Sequence, residues 1–222
     1  MISDTPAADR CDPPLDCDRC PRLVAFRHEH QRAFPNWFNA PVPSFAAPDP
    51  RLLVVGLAPG LRGANRTGRP FTGDYAGDLL YETMLDFGFA RGRYEARPDD
   101  GLELVGAAIT NAVRCVPPAN KPVGSEIANC RSFLFATLDA YPGLRAVLAL
   151  GRIAHETFLS TLDIRRADFA FGHGRRHDLG TRSLVLFDSY HCSRYNTNTG
   201  RLTREMFRAV FADMRCFLDE TA

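Results

Sequence analysis

Four short apolar runs restrict this chain more than anything else in it: LLVVGL at 52–57, VGAAITNAV at 105–113, AVLAL at 146–150 and SLVLFD at 183–188. A strand with one face in water alternates apolar and polar residues. A run that is apolar on both faces belongs to a strand covered on both sides. Between the runs lie segments of helical character at about 76–87, from an N-cap at Ser125 to about 141, at 153–162, and from a cap at Thr203 to about 218. Strands and helices in alternation predict an α/β fold, a three-layer α/β/α sandwich with a central, mostly parallel, four-stranded sheet. The 222 residues suit one sizeable core, so a single domain over 1–222 is expected. Its first 50 residues are irregular and proline-rich apart from a helix near 21–32. The stretch 35–50, with five prolines, reads as an extended loop, and 165–181 as a loop or hairpin. In such sheets the functional groups gather beyond the carboxyl ends of the strands. That directs attention to residues 58–74, 111–121, 151–155 and 189–203.

Charge narrows the function less. The net charge is +1, from 27 basic and 26 acidic residues, which gives no global signal for a polyanionic partner. Between Arg165 and Arg204, eight arginines face only Asp168, Asp178 and Asp188. This leaves room for a local basic surface, although on charge alone a solvated arginine-rich face is the simpler explanation. No run of 18 apolar residues occurs, so no membrane span is expected. The start, MISDTPAADRCDPP, lacks the basic-then-apolar pattern of a secretory leader. A cytoplasmic protein is expected.

The seven cysteines do not suggest a disulfide scaffold in such a protein. Cys17 and Cys20 form a C-x2-C pair, and Cys115 and Cys130 follow much later, Cys115 at a strand end. Four thiolates suit either structural zinc or a [4Fe–4S] cluster, and spacing does not choose between them. Cys11 competes with the N-terminal pair, and Cys216, on the last helix, is expected in the core.

Three loop segments carry a resemblance: GLAPG at 56–60 continuing as GANRTGRPFTGD at 63–74, ITNAVRCVPP at 109–118, and HCS at 191–193 continuing as NTNTGRLT at 196–203. With the cysteines, they span nearly the whole chain in an order that resembles the iron–sulfur uracil-DNA glycosylases. Family 4 members carry an acidic residue after the first motif glycine. Leu57 stands there here, and GLAPG with NRTG-x-x-FTGD is similar to family 5. The resemblance implies excision of uracil, and of some deaminated purines, from DNA, by a monomer with no membrane partner. It makes Cys17, Cys20, Cys115 and Cys130 the ligands of a structural [4Fe–4S] cluster.

The resemblance also assigns roles. Phe71 stacks on the flipped base, and Asn111 reads the pyrimidine edge, since an amide both donates and accepts. His191 binds the O2 side and stabilises the leaving anion, and Asp74 is the catalytic carboxylate, with Asp78 a weaker candidate. Gly56, Ala58 and Gly60 let the backbone approach the base. Ser193, Arg194, Tyr195, Asn196 and Arg201 meet the DNA, with Arg175, Arg176 and His177 as further backbone contacts. No soluble cofactor and no catalytic metal are implied. One departure stands out: Cys192 replaces the proline usual after the motif histidine, which predicts a looser loop and a thiol open to oxidation. A non-catalytic iron–sulfur protein that binds nucleic acid or senses redox state is the alternative.

Overall fold

The computed structural model describes residues 11–221. Its strands are β1 (Phe45–Ala46), β2 (Leu52–Gly56), β3 (Ala90–Arg91), β4 (Glu103–Leu104), β5 (Ala107–Asn111), β6 (Ala146–Leu150), β7 (Arg176–Asp178) and β8 (Val185–Ser189). Six of them form one sheet in the order β1-β5-β2-β6-β8-β7, and β3 pairs with β4 apart from it. The four inner strands run parallel and are the four apolar runs. The sheet therefore has six strands rather than the expected four. The additions are antiparallel edges, β1 inside the proline-rich stretch and β7 inside 165–181. Strands of two and three residues are too short to show a periodicity, and pairing with the neighbouring backbone is what makes them.

The helices are α1 (Pro21–Ala33), α2 (Ala64–Thr67), α3 (Tyr75–Asp86), α4 (Gly124–Ala140), α5 (Arg152–Thr161), α6 (Arg194–Asn198) and α7 (Arg204–Glu220). Side chains of the inner strands alternate between two cores. Leu52, Val54, Ile109, Leu148 and Phe187 meet the apolar faces of α3 and α7, among them Leu80, Met84, Phe207 and Phe211. Leu53, Val55, Val147 and Leu186 meet Leu134 and Leu138 of α4 and Phe158 and Leu159 of α5. These are the three layers that the apolar runs require, because each strand face must leave water. Among the described residues, no helix is long and apolar enough to cross a membrane.

Helix starts follow capping chemistry. Asp74 caps α3, and Thr203 caps α7 by accepting from the Met206 N–H at 3.2 Å. For α4 the expected cap at Ser125 is replaced by Val123, whose N–H donates to Glu126 Oε2 at 2.9 Å. The acidic side chain at the third helical position supplies the acceptor, so no hydroxyl is needed. The irregular start is fastened by a buried guanidinium. Arg114, 1% exposed, donates to Asp12 Oδ1, to Ser44 Oγ at 2.8 Å and to Thr137 Oγ1 at 2.9 Å.

Leu148 lies in the central layer with no exposure. Leu148→Ala is expected to remove about 2–5 kcal/mol of stability. Ile153→Ala, on the exposed face of α5, should change it by less than about 0.5 kcal/mol. Urea unfolding followed by circular dichroism measures both.

Candidate active site

Because the inner strands are parallel, their carboxyl ends share one edge of the sheet, and register sets what meets there. Gly56, the last residue of β2, lies opposite Asn111, the last of β5. A side chain on Gly56 would collide with the Asn111 amide and with the Phe71 ring at 2.7 Å. Glycine is what lets those two groups come together behind the pocket floor. In front of them opens a cavity of about 330 Å³, lined by Ala58, Gly60, Phe71, Asp74, Asn111, His191, Ser193 and Arg194. Most of the residues singled out from sequence thus converge on one space. The cavity is also lined by Leu57, Pro59, Ala64, Tyr75, Ala76 and Asn120, to which the sequence reading gave no part in binding. For Asn120 a signal existed. It lies in the proline-flanked turn PPANKP, where Ala119 and Asn120 are both left-handed, and asparagine tolerates that region better than most residues.

Two of the lining side chains lie ring against ring. Phe71 is 6% exposed and its ring centroid lies 5.9 Å from that of His191, the planes inclined by 28°. Its backbone is left-handed, with φ of 53°, a conformation that costs an L residue about 1–2 kcal/mol. Burial of His191 lowers its pKa to about 4, so at neutral pH it is an uncharged imidazole with one N–H to donate. Asp74 accepts from the Gly77 N–H at 3.3 Å at the start of α3. Burial raises its pKa, while the N–H groups of Gly77 and Ala76 oppose the rise. A side chain on Gly60 would come within 2.9 Å of the Asp74 carboxylate, so the backbone of the first motif packs directly against that group. Asp78, one turn further on, is exposed and outside the cavity.

The loop carrying His191 is fixed from three sides. The Asn196 amide donates to the His191 carbonyl at 2.8 Å, so this side chain holds the loop. Ser193 caps α6. Cys192 is wholly buried, and its Sγ donates to the Ala76 carbonyl at 3.4 Å. That contact ties the loop to the first turn of α3, directly after Asp74. The expectation of a looser, oxidisable loop is therefore corrected: burial pushes the Cys192 thiol well up, and a protonated, inaccessible thiol is inert. Beneath the loop, Asp188 of β8 receives His155 Nδ1 at 2.7 Å, His177 Nε2 at 3.0 Å and the Gly172 N–H at 3.1 Å. His177 is thus turned inward, while Arg176, exposed on β7, lies over the Phe217 ring at 4.6 Å. Tyr195 projects into solvent with 72% exposure, and the Arg194 guanidinium lies over the Tyr75 ring. A second cleft on the far side of His191 is lined by Arg152, Phe171, Tyr190, Asn196 and Arg201.

The four predicted cysteines line one further pocket, together with Leu23, Val113 and Phe133. Three of the sulfurs accept N–H donors: Cys115 from Arg27 Nη1 at 3.2 Å, Cys130 from the Arg114 N–H at 3.3 Å and Cys20 from Asn129 Nδ2 at 3.8 Å. Burial pushes the Cys115 thiol up to about 12 and raises Cys20 and Cys130 as well. Among the described residues, the single group compact enough for one metal ion is His155, His177 and Asp188, and both histidines are already bonded to Asp188. Cys11 is buried but does not line the cysteine pocket. Cys216 is exposed rather than in the core, because the apolar face of α7 is carried by Phe207, Val210, Phe211, Met214, Phe217 and Leu218.

The family profile described as the uracil DNA glycosylase superfamily matches residues 43–215. The chain belongs to the uracil-DNA glycosylase superfamily. It is 46% identical over 206 residues to the type-5 uracil-DNA glycosylase of Thermus thermophilus, covering 90% of this chain and 92% of that one. It is 40% identical over 210 residues to the type-5 enzyme of Pyrobaculum aerophilum, covering 91% of each. A type-4 uracil-DNA glycosylase of Sulfurisphaera tokodaii is 27% identical over 201 residues, covering 88% of this chain and 79% of that one. The type-5 relatives match at higher identity than this type-4 member, in agreement with the family 5 resemblance of the first motif.

Brief alkylation of the folded protein with iodoacetamide is expected to label Cys216 and leave Cys192 unmodified, with both labelled after denaturation. Peptide mass spectrometry reads the pattern, and early labelling of Cys192 would contradict its burial.

Proposed function

We propose that this chain is a DNA repair glycosylase that hydrolyses the N-glycosidic bond of uracil, and of other deaminated bases, after the base has flipped out of the helix. The observation that carries the reading is the single cavity in which Phe71, Asp74, Asn111 and His191 meet. A flipped base enters between Phe71, which offers an aromatic face, and Asn111, whose amide pairs with its polar edge. As the bond breaks, the base gains negative charge and the sugar positive charge. The neutral His191 donates its N–H to the base oxygen. The Asp74 carboxylate stabilises the sugar cation and orients the attacking water. The abasic site and the free base are the products.

The DNA strand runs past Ser193, Arg194 and Tyr195 and across the cleft of Arg152 and Arg201, where two guanidiniums meet phosphates without reading sequence. Tyr195, exposed on the short α6, fills the gap left by the base. The chain works as one domain and as a monomer, in the compartment that holds the DNA. A purely binding or sensing role is not favoured, because it leaves the converging Asp74 and His191 without a task.

Cys17, Cys20, Cys115 and Cys130 hold a structural [4Fe–4S] cluster. Around a tetrahedral zinc, with Zn–S bonds near 2.3 Å, sulfurs stand within about 4 Å of one another. Here the four thiols line one pocket, but among the described residues no three of them lie within 4.8 Å of one another. N–H donors to the sulfurs, with the buried Arg27 among them, suit an anionic cluster. The cluster supplies a cross-link between the N-terminal segment and the loop after β5, and no step of the hydrolysis.

An oligonucleotide with one uracil is expected to be cut by alkali after incubation with the protein, and His191→Ala should lower the rate by about 10²–10³. Because Asp74 must be ionised and its pKa is raised, the rate should fall on the acid side above the ordinary carboxylate range. Asp74→Asn should be slower by about 10²–10⁴ and lose that limb. Uncut oligonucleotide with intact protein would overturn the reading. Separately, elemental analysis of protein purified without oxygen should find iron and acid-labile sulfide but no stoichiometric zinc, and Cys130→Ser should lose both.

A further inference from the structure

Phe71 presents its ring to the base cavity from a left-handed backbone that the chain would not adopt unaided. What holds it lies outside the cavity, in the segment between β3 and β4 together with Tyr81 of α3 and Arg69 of the loop that carries Phe71. Tyr94 Oη donates to the Phe71 carbonyl at 3.3 Å. Tyr81 Oη donates to the Pro70 carbonyl at 2.6 Å, and Arg69 Nε donates to Thr72 Oγ1 at 2.8 Å. The guanidinium of Arg69 is in turn gripped by Asp100, with both Nη atoms on both carboxylate oxygens at 2.8 Å. Asp100 also accepts the N–H groups of Glu95 at 2.9 Å and Leu102 at 3.1 Å, and its side chain is fully shielded from solvent. Phe45, Tyr81 and Tyr94 enclose the guanidinium at 5.3–5.9 Å.

A bidentate pair with every oxygen satisfied and aromatic rings around the cation is rigid in a way that an exposed pair is not. Burial works against the Asp100 charge, but Arg69 and the two N–H groups outweigh it and hold the carboxyl well below its usual range. The pair therefore stays ionised at every pH at which the protein works. Asp74, three residues beyond Phe71, is held separately by the first turn of α3. The grips on 69–72 thus act first on the aromatic wall, although the Tyr94 hydroxyl also reaches Gly73 beside Asp74.

We propose that Tyr94, Arg69 and Asp100 are positioning residues that set the ring of Phe71, so that the segment between β3 and β4 determines how tightly the pocket holds a flipped or free pyrimidine. This rests on the base-binding role proposed for the cavity. Loss of the Tyr94 hydroxyl removes one grip and leaves its ring in place. Loss of the Asp100 charge leaves the buried guanidinium without its counter-ion and loosens the Arg69 end of the turn, while Tyr81 and Tyr94 keep their bonds.

Tyr94→Phe, Asp100→Asn, Phe71→Leu and the double variant of Tyr94→Phe with Phe71→Leu test this. The readouts are inhibition of excision by free uracil, thermal melting, and the 19F spectrum of protein labelled with fluorophenylalanine. The Phe71 signal is identified by its absence in Phe71→Leu. Tyr94→Phe is expected to weaken uracil inhibition by about 2–10-fold, as for one lost hydrogen bond, to shift or broaden the Phe71 signal, and to melt near the parent. Asp100→Asn should have the larger effect. The double variant should be no weaker than Phe71→Leu alone, since Tyr94 acts through the ring. An unmoved Phe71 signal in Tyr94→Phe, unchanged uracil inhibition, or additive losses in the double variant would overturn the proposal. If the parent releases no uracil, the glycosylase reading fails, and the 19F signal still decides whether the clamp sets the ring.

Discussion

The functional end of this molecule depends on the parallel register that puts Gly56 beside Asn111. Four strands buried on both faces have little freedom to slip, because a shift of one residue would exchange the two cores. Once β2 and β5 are in register, their last residues share one edge, and β8 delivers Ser189 to the same edge just before the His191 loop. The pocket is assembled by backbone hydrogen bonding far from it, and the absent side chain of Gly56 gives Phe71 and the Asn111 amide room to meet.

Burial then sets the electrostatics. The same desolvation that strips the proton from His191 raises the pKa of Asp74, so both groups are pushed toward neutrality. They do not respond alike. Nothing opposes the effect at His191, whereas the N–H groups at the start of α3 oppose it at Asp74. The cavity thus joins a neutral donor to a carboxyl group whose charged form the backbone favours. That asymmetry suits a bond that breaks into a cationic sugar and an anionic base.

Much of this could be read from the sequence, for definite reasons. The inner strands were legible because residues such as Leu52–Gly56 are apolar on both faces. The cavity residues were legible because their loops follow strand ends in a recognisable order, and the cysteine quartet because a C-x2-C pair is followed by two later cysteines. What could not be read depends on contacts made only after folding. The edges β1 and β7 exist by pairing with backbone. The cap of α4 moved from Ser125 to Val123 because Glu126 reaches back to it. Cys192 looked like a lost proline and is instead a buried tie to Ala76. His177 looked like a surface group beside two arginines and is bonded to Asp188. Asp100 carried no signal at all, since its partner Arg69 lies in another loop.

The cysteine pocket has a consequence for how the protein is made. Cys17 and Cys20 leave the ribosome early, while Cys115 and Cys130 follow only after β2, α3 and β5 have been synthesised. The fourth wall of the pocket stands on α4, and the Arg114 guanidinium that fastens the N-terminal segment reaches to Thr137 on the same helix. Until α4 is complete, the first two thiols wait with neither their partner sulfurs nor the packing that shields them. The N-terminal segment can therefore take up its packing only once α4 has been made, long after its own residues.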